Sequence, residues 1–161
     1  MSNPYHVEFL KFAHGMVVSA TTWPDDKVTA QAAGQPNHCL WTLGHLATTY
    51  DWGAGLLDGK PSALPESYNK LFGMGSVPSP DPKAYPSLAE VRSHFDRTFE
   101  RLAAAATALT AAQGAESLKE ATQGFASTKL DMVHKLAWHD GWHLGQLATL
   151  RKFLGLPGLL S

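Results

Sequence analysis

The sequence lacks the features that usually mark secreted, membrane-spanning or nucleic-acid-binding proteins. Its single cysteine, Cys39, cannot form an intramolecular disulfide, so nothing favours an oxidising compartment. No apolar run approaches the roughly 18 residues that span a bilayer, and the first residues do not resemble a signal peptide. The 13 basic and 14 acidic residues form no basic patch, which argues against a nucleic-acid partner. We therefore expect a cytoplasmic protein without membrane or nucleic-acid partners.

What the sequence contains is helical periodicity, because apolar residues recur at helical spacing in four segments. These segments run over about residues 4–22, 38–57, 88–113 and 128–154. The N-caps expected for the last three are Asn37, Ser87 and Ser127. Four such helices in 161 residues predict one all-α domain, residues 1–161, folded as a four-helix bundle.

Residues 58–86 break this pattern and predict a long crossover between the second and third helices. Six prolines in the segment exclude a long regular element. Loops this long inside a domain are usually functional, or they connect distant helix ends. Its apolar residues are expected to pack on the bundle or over a pocket; they are Tyr68, Leu71, Phe72 and Met74.

Two histidines four residues apart, His139 and His143, lie inside the fourth helical segment. Residues at i and i+4 share one helical face, which lets one helix give two imidazole ligands to a single metal ion. The stripe that they interrupt is otherwise largely apolar, and buried imidazoles are costly unless they are hydrogen-bonded or coordinated. A chance pair of core histidines is the alternative interpretation.

A third ligand is expected from the second helix. His45 lies in the middle of that helix among aromatic and small residues. Alone it is typical of a core histidine, but a tight divalent site with two ligands on one helix favours a third. Trp41, one turn earlier, and Gln146, one turn after His143, are expected near the site.

Three other groups have less specific interpretations. His14 lies on the apolar stripe of the first helix, where it either makes a core hydrogen bond or lines the pocket. His38 is expected at the pocket rim or on the surface. Cys39 is interpreted as a small packing residue.

Other catalytic motifs match the sequence less well. A zincin protease needs HExxH, whereas this chain has HDGWH with no later histidine or glutamate. A ferritin-like di-iron centre needs Glu-x-x-His on two helices, and only Asp131-x-x-His134 comes near. The motifs of haem attachment, dinucleotide binding, phosphate binding and serine nucleophiles are missing. Three imidazoles with open coordination positions are typical of a catalytic site.

Three stretches carry a resemblance to a known family. The segment HDGWHLGQLATLRKFLGLP resembles the C-terminal signature of the DinB-like superfamily. LWTLGHLATTYDW resembles that family's second helix, and ESYNKLFGMGSVPSPDPKAYPSLAE resembles the crossover of one of its branches. The resemblance spans nearly the whole chain. It implies a four-helix bundle, often dimeric, in which His45, His139 and His143 hold one divalent metal.

The resemblance also implies a class of chemistry, since members with assigned roles include metal-dependent thiol transferases and isomerases that use low-molecular-weight thiols. We expect one divalent transition metal, zinc, nickel or iron, because imidazole suits all of them. The expected substrate is a small molecule, with a thiol as the leading candidate. A homodimer is expected from the resemblance, and because five tryptophans exceed what one four-helix core needs.

The functional class stays open at this point. An enzyme would use the metal as a Lewis acid to activate a thiol, as an S-transferase, or water, as a hydrolase. Asp140 is a candidate base for hydrolysis, although on an ideal helix it points about 100° away from His139. A non-catalytic metal-binding or stress-response protein is the remaining class. Thiol transfer outranks hydrolysis only through the resemblance.

Overall fold

A computed structural model describes residues 4–159. Their helices are α1 (Pro4–Ala20), α2 (Cys39–Asp58), α3 (Ser67–Phe72), α4 (Leu88–Ala108), α5 (Ala111–Gly114) and α6 (Lys129–Phe153), with 3₁₀ turns at Asp25–Lys27 and Pro82–Ala84. The four long helices form a bundle around one core, so the all-α four-helix prediction is confirmed. None of the described helices is long and apolar enough to cross a membrane.

Contacts between α1 and α6 show that these two helices run parallel. Near their first turns the ring of His6 lies beside that of His134. Near their last turns the Arg151 guanidinium donates to the Ala20 carbonyl. Pairing of first turn with first turn and last with last is possible only for parallel helices.

Helices α2 and α4 are also parallel to each other, and α2 runs antiparallel to α6. Tyr50 packs on Phe95, and Asp58, at the end of α2, pairs with Arg101 further along α4. The first half of α2 meets the second half of α6 where His45 lies beside His143. The second half of α2 meets the first half of α6 where Gly53 faces Leu136. The bundle is therefore up-down-down-up rather than a simple meander.

This topology explains the long crossover, since the connection between two parallel neighbours must return along a helix of about 30 Å. Tyr68 and Phe72 of α3 are buried in the middle of the crossover. The Phe72 ring lies where a Cβ on Gly44 of α2 would be only 2.3 Å away. Leu71 is half-buried, whereas the prediction that Met74 packs is wrong, because its side chain is 98% exposed.

Several predicted helix ends differ from the observed ones. The first helix ends at Ala20, two residues early. The third ends at Ala108 because Leu109 is extended and Thr110 starts α5 with a capping box. The N-caps of α2 and α6 lie one residue later than expected, at His38 and Thr128.

Candidate metal centre

Three histidine side chains from two helices meet at one point of the bundle. They are His45 of α2 and His139 and His143 of α6, and each offers one ligand atom within 4.8 Å of the others. The Nε2 atom of His139 lies 3.3 Å from Nε2 of His45 and 3.2 Å from Nε2 of His143. His45 and His139 are half-buried and His143 is buried, so the cluster has one side near solvent. The structure thus brings together all three histidines that the sequence analysis singled out.

The crossover orients the His45 ring. Nδ1 of His45 lies 2.8 Å from the Phe72 carbonyl oxygen, and a carbonyl can only accept. The ring proton is therefore on Nδ1, and Nε2 carries a lone pair toward the other histidines. Trp41 stacks on the same ring at 4.7 Å and donates from Nε1 to the Ser76 hydroxyl at 2.9 Å, so Trp41 lies beside the cluster as expected.

Gln146 orients the His143 ring in the same way. Nδ1 of His143 donates to Oε1 of Gln146 at 3.0 Å, and the side-chain amide of Asn37 also donates to this oxygen, at 3.4 Å. An amide oxygen can only accept, so the ring proton of His143 is on Nδ1. Nε2 of His143 therefore also carries a lone pair, and Gln146 lies next to the cluster.

The ring nitrogens of His139 lack a consistent set of hydrogen bonds. Its Nε2 faces the lone pairs of both His45 and His143, and one ring proton cannot lie on both N···N lines. Its Nδ1 is buried and has no hydrogen-bond partner among the described residues. A cation between the three Nε2 atoms would remove the conflict at Nε2 and would leave the ring proton of His139 on Nδ1.

The cluster has the protonation state that metal binding needs. Burial lowers the pKa of His45 and lowers that of His139 to about 4. Burial, reinforced by the two neighbouring imidazoles, lowers the pKa of His143 to about 3. All three rings are therefore neutral at pH 7, which is the form that binds metal.

The donor set and spacing are suited to a divalent transition metal. Imidazole nitrogens bound to a tetrahedral zinc ion at about 2.0–2.1 Å lie about 3.3–3.4 Å apart. The two observed separations, 3.2 and 3.3 Å, are close to that value. Hard cations such as magnesium and calcium prefer oxygen ligands, and the group of possible metal ligands contains none.

His14, which was considered for the pocket, lies elsewhere. Its ring stacks on Phe99 with centroids 3.5 Å apart, and its Nδ1 lies 3.3 Å from the Tyr50 hydroxyl. That hydroxyl donates to Asp140 at 2.8 Å. The structure therefore places His14 in a hydrogen-bonded network of the core, the first of the two expected alternatives.

Sequence reasoning missed two elements of the site and misplaced a third. Nothing in the sequence indicated that the backbone carbonyl of Phe72 would bind His45, because the interaction depends on how the crossover folds back. The pairing of Tyr50 with Asp140 was also missed, although both lie on core-facing positions. His38 was expected at the rim or surface and is instead buried: Nε2 donates to the Ser79 carbonyl at 2.9 Å and Nδ1 accepts from the backbone of Trp41.

Comparison with known proteins identifies a family. The family model described as the DinB superfamily matches residues 10–147, a stretch that includes all three clustered histidines. No curated protein matches the sequence significantly.

Proposed function

The chain belongs to the DinB superfamily, and on that premise we propose that it is a cytoplasmic metal-dependent enzyme that acts on a small thiol. In this proposal His45, His139 and His143 bind one divalent transition metal, zinc, nickel or iron. The reaction joins the thiol to an electrophile, or breaks such a bond, as an S-transferase does.

One observation carries the metal part of the proposal: three Nε2 atoms converge, and partners outside the cluster fix the lone pairs of two of them. Such outer partners are typical of metal-binding histidines, since they set the ring orientation and the tautomer. A purely structural cluster would need alternating donors and acceptors, and this one has too few protons.

The single cysteine of the chain lies outside this site, which favours an external thiol. The only cysteine, Cys39, is fully buried, and burial raises the pKa of its thiol to about 12. When a divalent cation is bound, it stabilises a thiolate over its thiol, and the thiolate is the reactive form. Trp41 and the half-buried rings of His45 and His139 would form the wall against which the thiol binds.

Hydrolysis is less well supported by the position of Asp140. Its carboxyl group is fully buried and accepts a hydrogen bond from Tyr50, and it is not part of the group of candidate ligands. Without this base, hydrolysis has no further support among the described residues.

Metal analysis tests the first half of the proposal. Purified protein should contain about one metal ion per chain, and His139→Ala should lose most of it, since even losing a supporting partner weakens metal affinity about 10–100-fold. The matched control is His94→Asn, because His94 lies on α4 and bonds Arg97 at 2.8 Å. Equal metal content in all three proteins would contradict the assignment.

A thiol assay tests the second half. Consumption of a panel of small thiols with a model electrophile would be followed for metal-loaded, metal-stripped and His143→Ala protein. The proposal expects turnover only in the first. Equal rates in all three would exclude transfer, and metal-dependent ester cleavage without thiol would favour a hydrolase. Metal binding without either reaction would favour a non-catalytic protein.

We also propose a homodimer, formed through an aromatic face on α1 and α6. We define this face by Phe9, Phe12, Trp138 and Trp142, whose side chains are each more than half exposed. Since α1 and α6 are parallel neighbours, these side chains lie at similar heights on the outside of the bundle. Large exposed aromatic side chains are typical of interfaces, and a two-fold dimer would use the same face on both copies.

Light scattering at tens of micromolar protein tests the dimer. The unaltered protein should have the mass of a dimer, and Trp138→Ser combined with Trp142→Ser should shift it toward the monomer. Met74→Ser, which removes an exposed apolar side chain outside the face, is the control and should leave the dimer intact. A monomer mass for the unaltered protein would overturn this assembly.

A further inference from the structure

A second pair of histidines lies on the α1–α6 seam. Nδ1 of His6 contacts Nε2 of His134, and their ring centroids are 4.4 Å apart with the planes at 54°. Both residues are half-buried. His134 precedes His139 by five positions, which on an ideal helix is about 7.5 Å along the axis and about 140° around it. The pair therefore faces away from the three-histidine cluster.

A carboxylate acts on this pair. Asp131 lies one turn before His134 on α6, and its carboxylate acts on the imidazole electrostatically. The ammonium of Lys135 pairs with Asp131 at 3.2 Å and donates to the Phe125 carbonyl at 2.6 Å. A neutral imidazole keeps one nitrogen lone pair, so each of the two rings can offer one nitrogen to an ion.

On the His6 side of the pair there is also space for the water ligands of an ion. A cavity of about 410 Å³ is lined by His6, by Thr110 and Thr128, and by apolar side chains that include Val7 and Val133, whereas His134 does not line it. A water molecule takes up about 30 Å³, so a partly hydrated ion fits. None of the three clustered histidines lines this cavity.

We propose that His6 and His134 form a second metal site, with two imidazole ligands, for a late first-row transition ion. Copper(II) should bind most tightly, because imidazole suits these ions and the general affinity order peaks at copper. Binding replaces the N–H···N hydrogen bond by two nitrogen–metal bonds, and the displaced proton moves to the other nitrogen of the same ring. The ion then links the first turn of α1 to α6.

The test separates this site from the first one. In protein carrying His139→Ala and His143→Ala, titration should still find one copper(II) ion per chain. Its electron paramagnetic resonance spectrum should show coupling to imidazole nitrogens. Adding His134→Asn or His6→Asn should lower the copper affinity at least about tenfold, since removing a ligand costs more than removing its support. Adding His94→Asn instead should change nothing.

The second site would be overturned if copper bound to the starting variant no more strongly than to the variant in which His6 and His134 are replaced as well. If the starting variant does not fold, copper is titrated into the unaltered protein and into its His134→Asn variant. The unaltered protein should bind two copper ions, and the variant only one. In the starting variant the first cluster has lost two of its three histidines, so this test does not depend on whether the first site binds metal.

Discussion

Two polar groups of side chains connect α2 to α6, and they differ in how their protons are used. In the network of His14, Tyr50 and Asp140, the Tyr50 hydroxyl donates to Asp140 at 2.8 Å and accepts from His14 at 3.3 Å. Each contact has one donor and one acceptor. In the three-histidine cluster, Nδ1 of His45 and Nδ1 of His143 donate hydrogen bonds to acceptors outside the cluster. Their Nε2 lone pairs face His139.

The difference shows that burial and helical position do not identify a metal ligand by themselves. His14 and His143 both lie on core-facing stripes, and burial lowers the pKa of both, to about 4 and about 3. What separates them is the direction of the hydrogen bonds around each ring. A ring whose proton is held on the side away from its neighbours is arranged to bind a cation, whereas a ring that donates to a neighbour is part of the structure.

Gly44→Ala should give the largest effect on the histidine cluster, because it disturbs the crossover that orients His45. The new Cβ would lie 2.3 Å from the Phe72 ring, so the ring must move, and with it the carbonyl that holds His45. We expect a stability loss of about 1–3 kcal/mol and a metal affinity lower by about 10–100-fold. Thermal unfolding and metal titration measure the two effects. Gly15→Ala is the control, since a Cβ there meets nothing within 4 Å.

Gln146→Leu should affect metal binding more than folding. It removes the acceptor for Nδ1 of His143, so the tautomer is no longer fixed, and affinity should fall by about tenfold or more. Competition with a chelator of known affinity measures this change. Unchanged metal affinity would mean that Gln146 has only a structural role.

Tyr50→Phe should affect folding more than metal binding. It leaves His14 and Asp140 without their shared partner, and unsatisfied buried groups cost about 1–3 kcal/mol each. Urea denaturation should show this loss, while metal content stays unchanged. If Tyr50→Phe instead released the metal, the distinction between network and cluster would be wrong.

Asp140→Asn should change how stability depends on pH. Burial raises the pKa of Asp140 from 3.8 to about 8, so the unfolded chain loses this proton before the folded one. The stability that Asp140 contributes is therefore fully present below the pKa that this group has in the unfolded chain. It is lost as pH rises toward 8, by at most about 1.4 kcal/mol per pH unit. Relative to the unaltered protein, Asp140→Asn should thus gain stability as pH rises between these two values. Denaturation of metal-free protein across that range measures the difference, and parallel curves would contradict the assignment.

The sequence predicted the bundle and the histidine cluster because both follow from fixed helical geometry. His139 and His143 must share a face whatever the rest of the chain does. His45 lies in the middle of its helix, on the same stripe as Trp41. The family resemblance is confirmed by the match over residues 10–147. That the cluster binds a metal stays a prediction.

The remaining features depend on contacts between distant segments or on competing local signals. The third helix was extended beyond Ala108 because its alanine-rich sequence favours helix, whereas Thr110 and Gln113 form a capping box that starts a new one. His38 was misplaced because a histidine is an unusual N-cap. The carbonyl of Phe72 reaches His45 only through the fold of the crossover, 27 positions along the chain.

The up-down-down-up arrangement also constrains the order of events in folding. His45 and His139 are 94 positions apart, and His6 and His134 are 128 apart. Closing such long loops carries an entropic cost before any contact compensates for it, and it slows folding relative to a meander of the same length. Neither histidine group can assemble until α6 docks, so during synthesis both groups stay incomplete until α6 has been made.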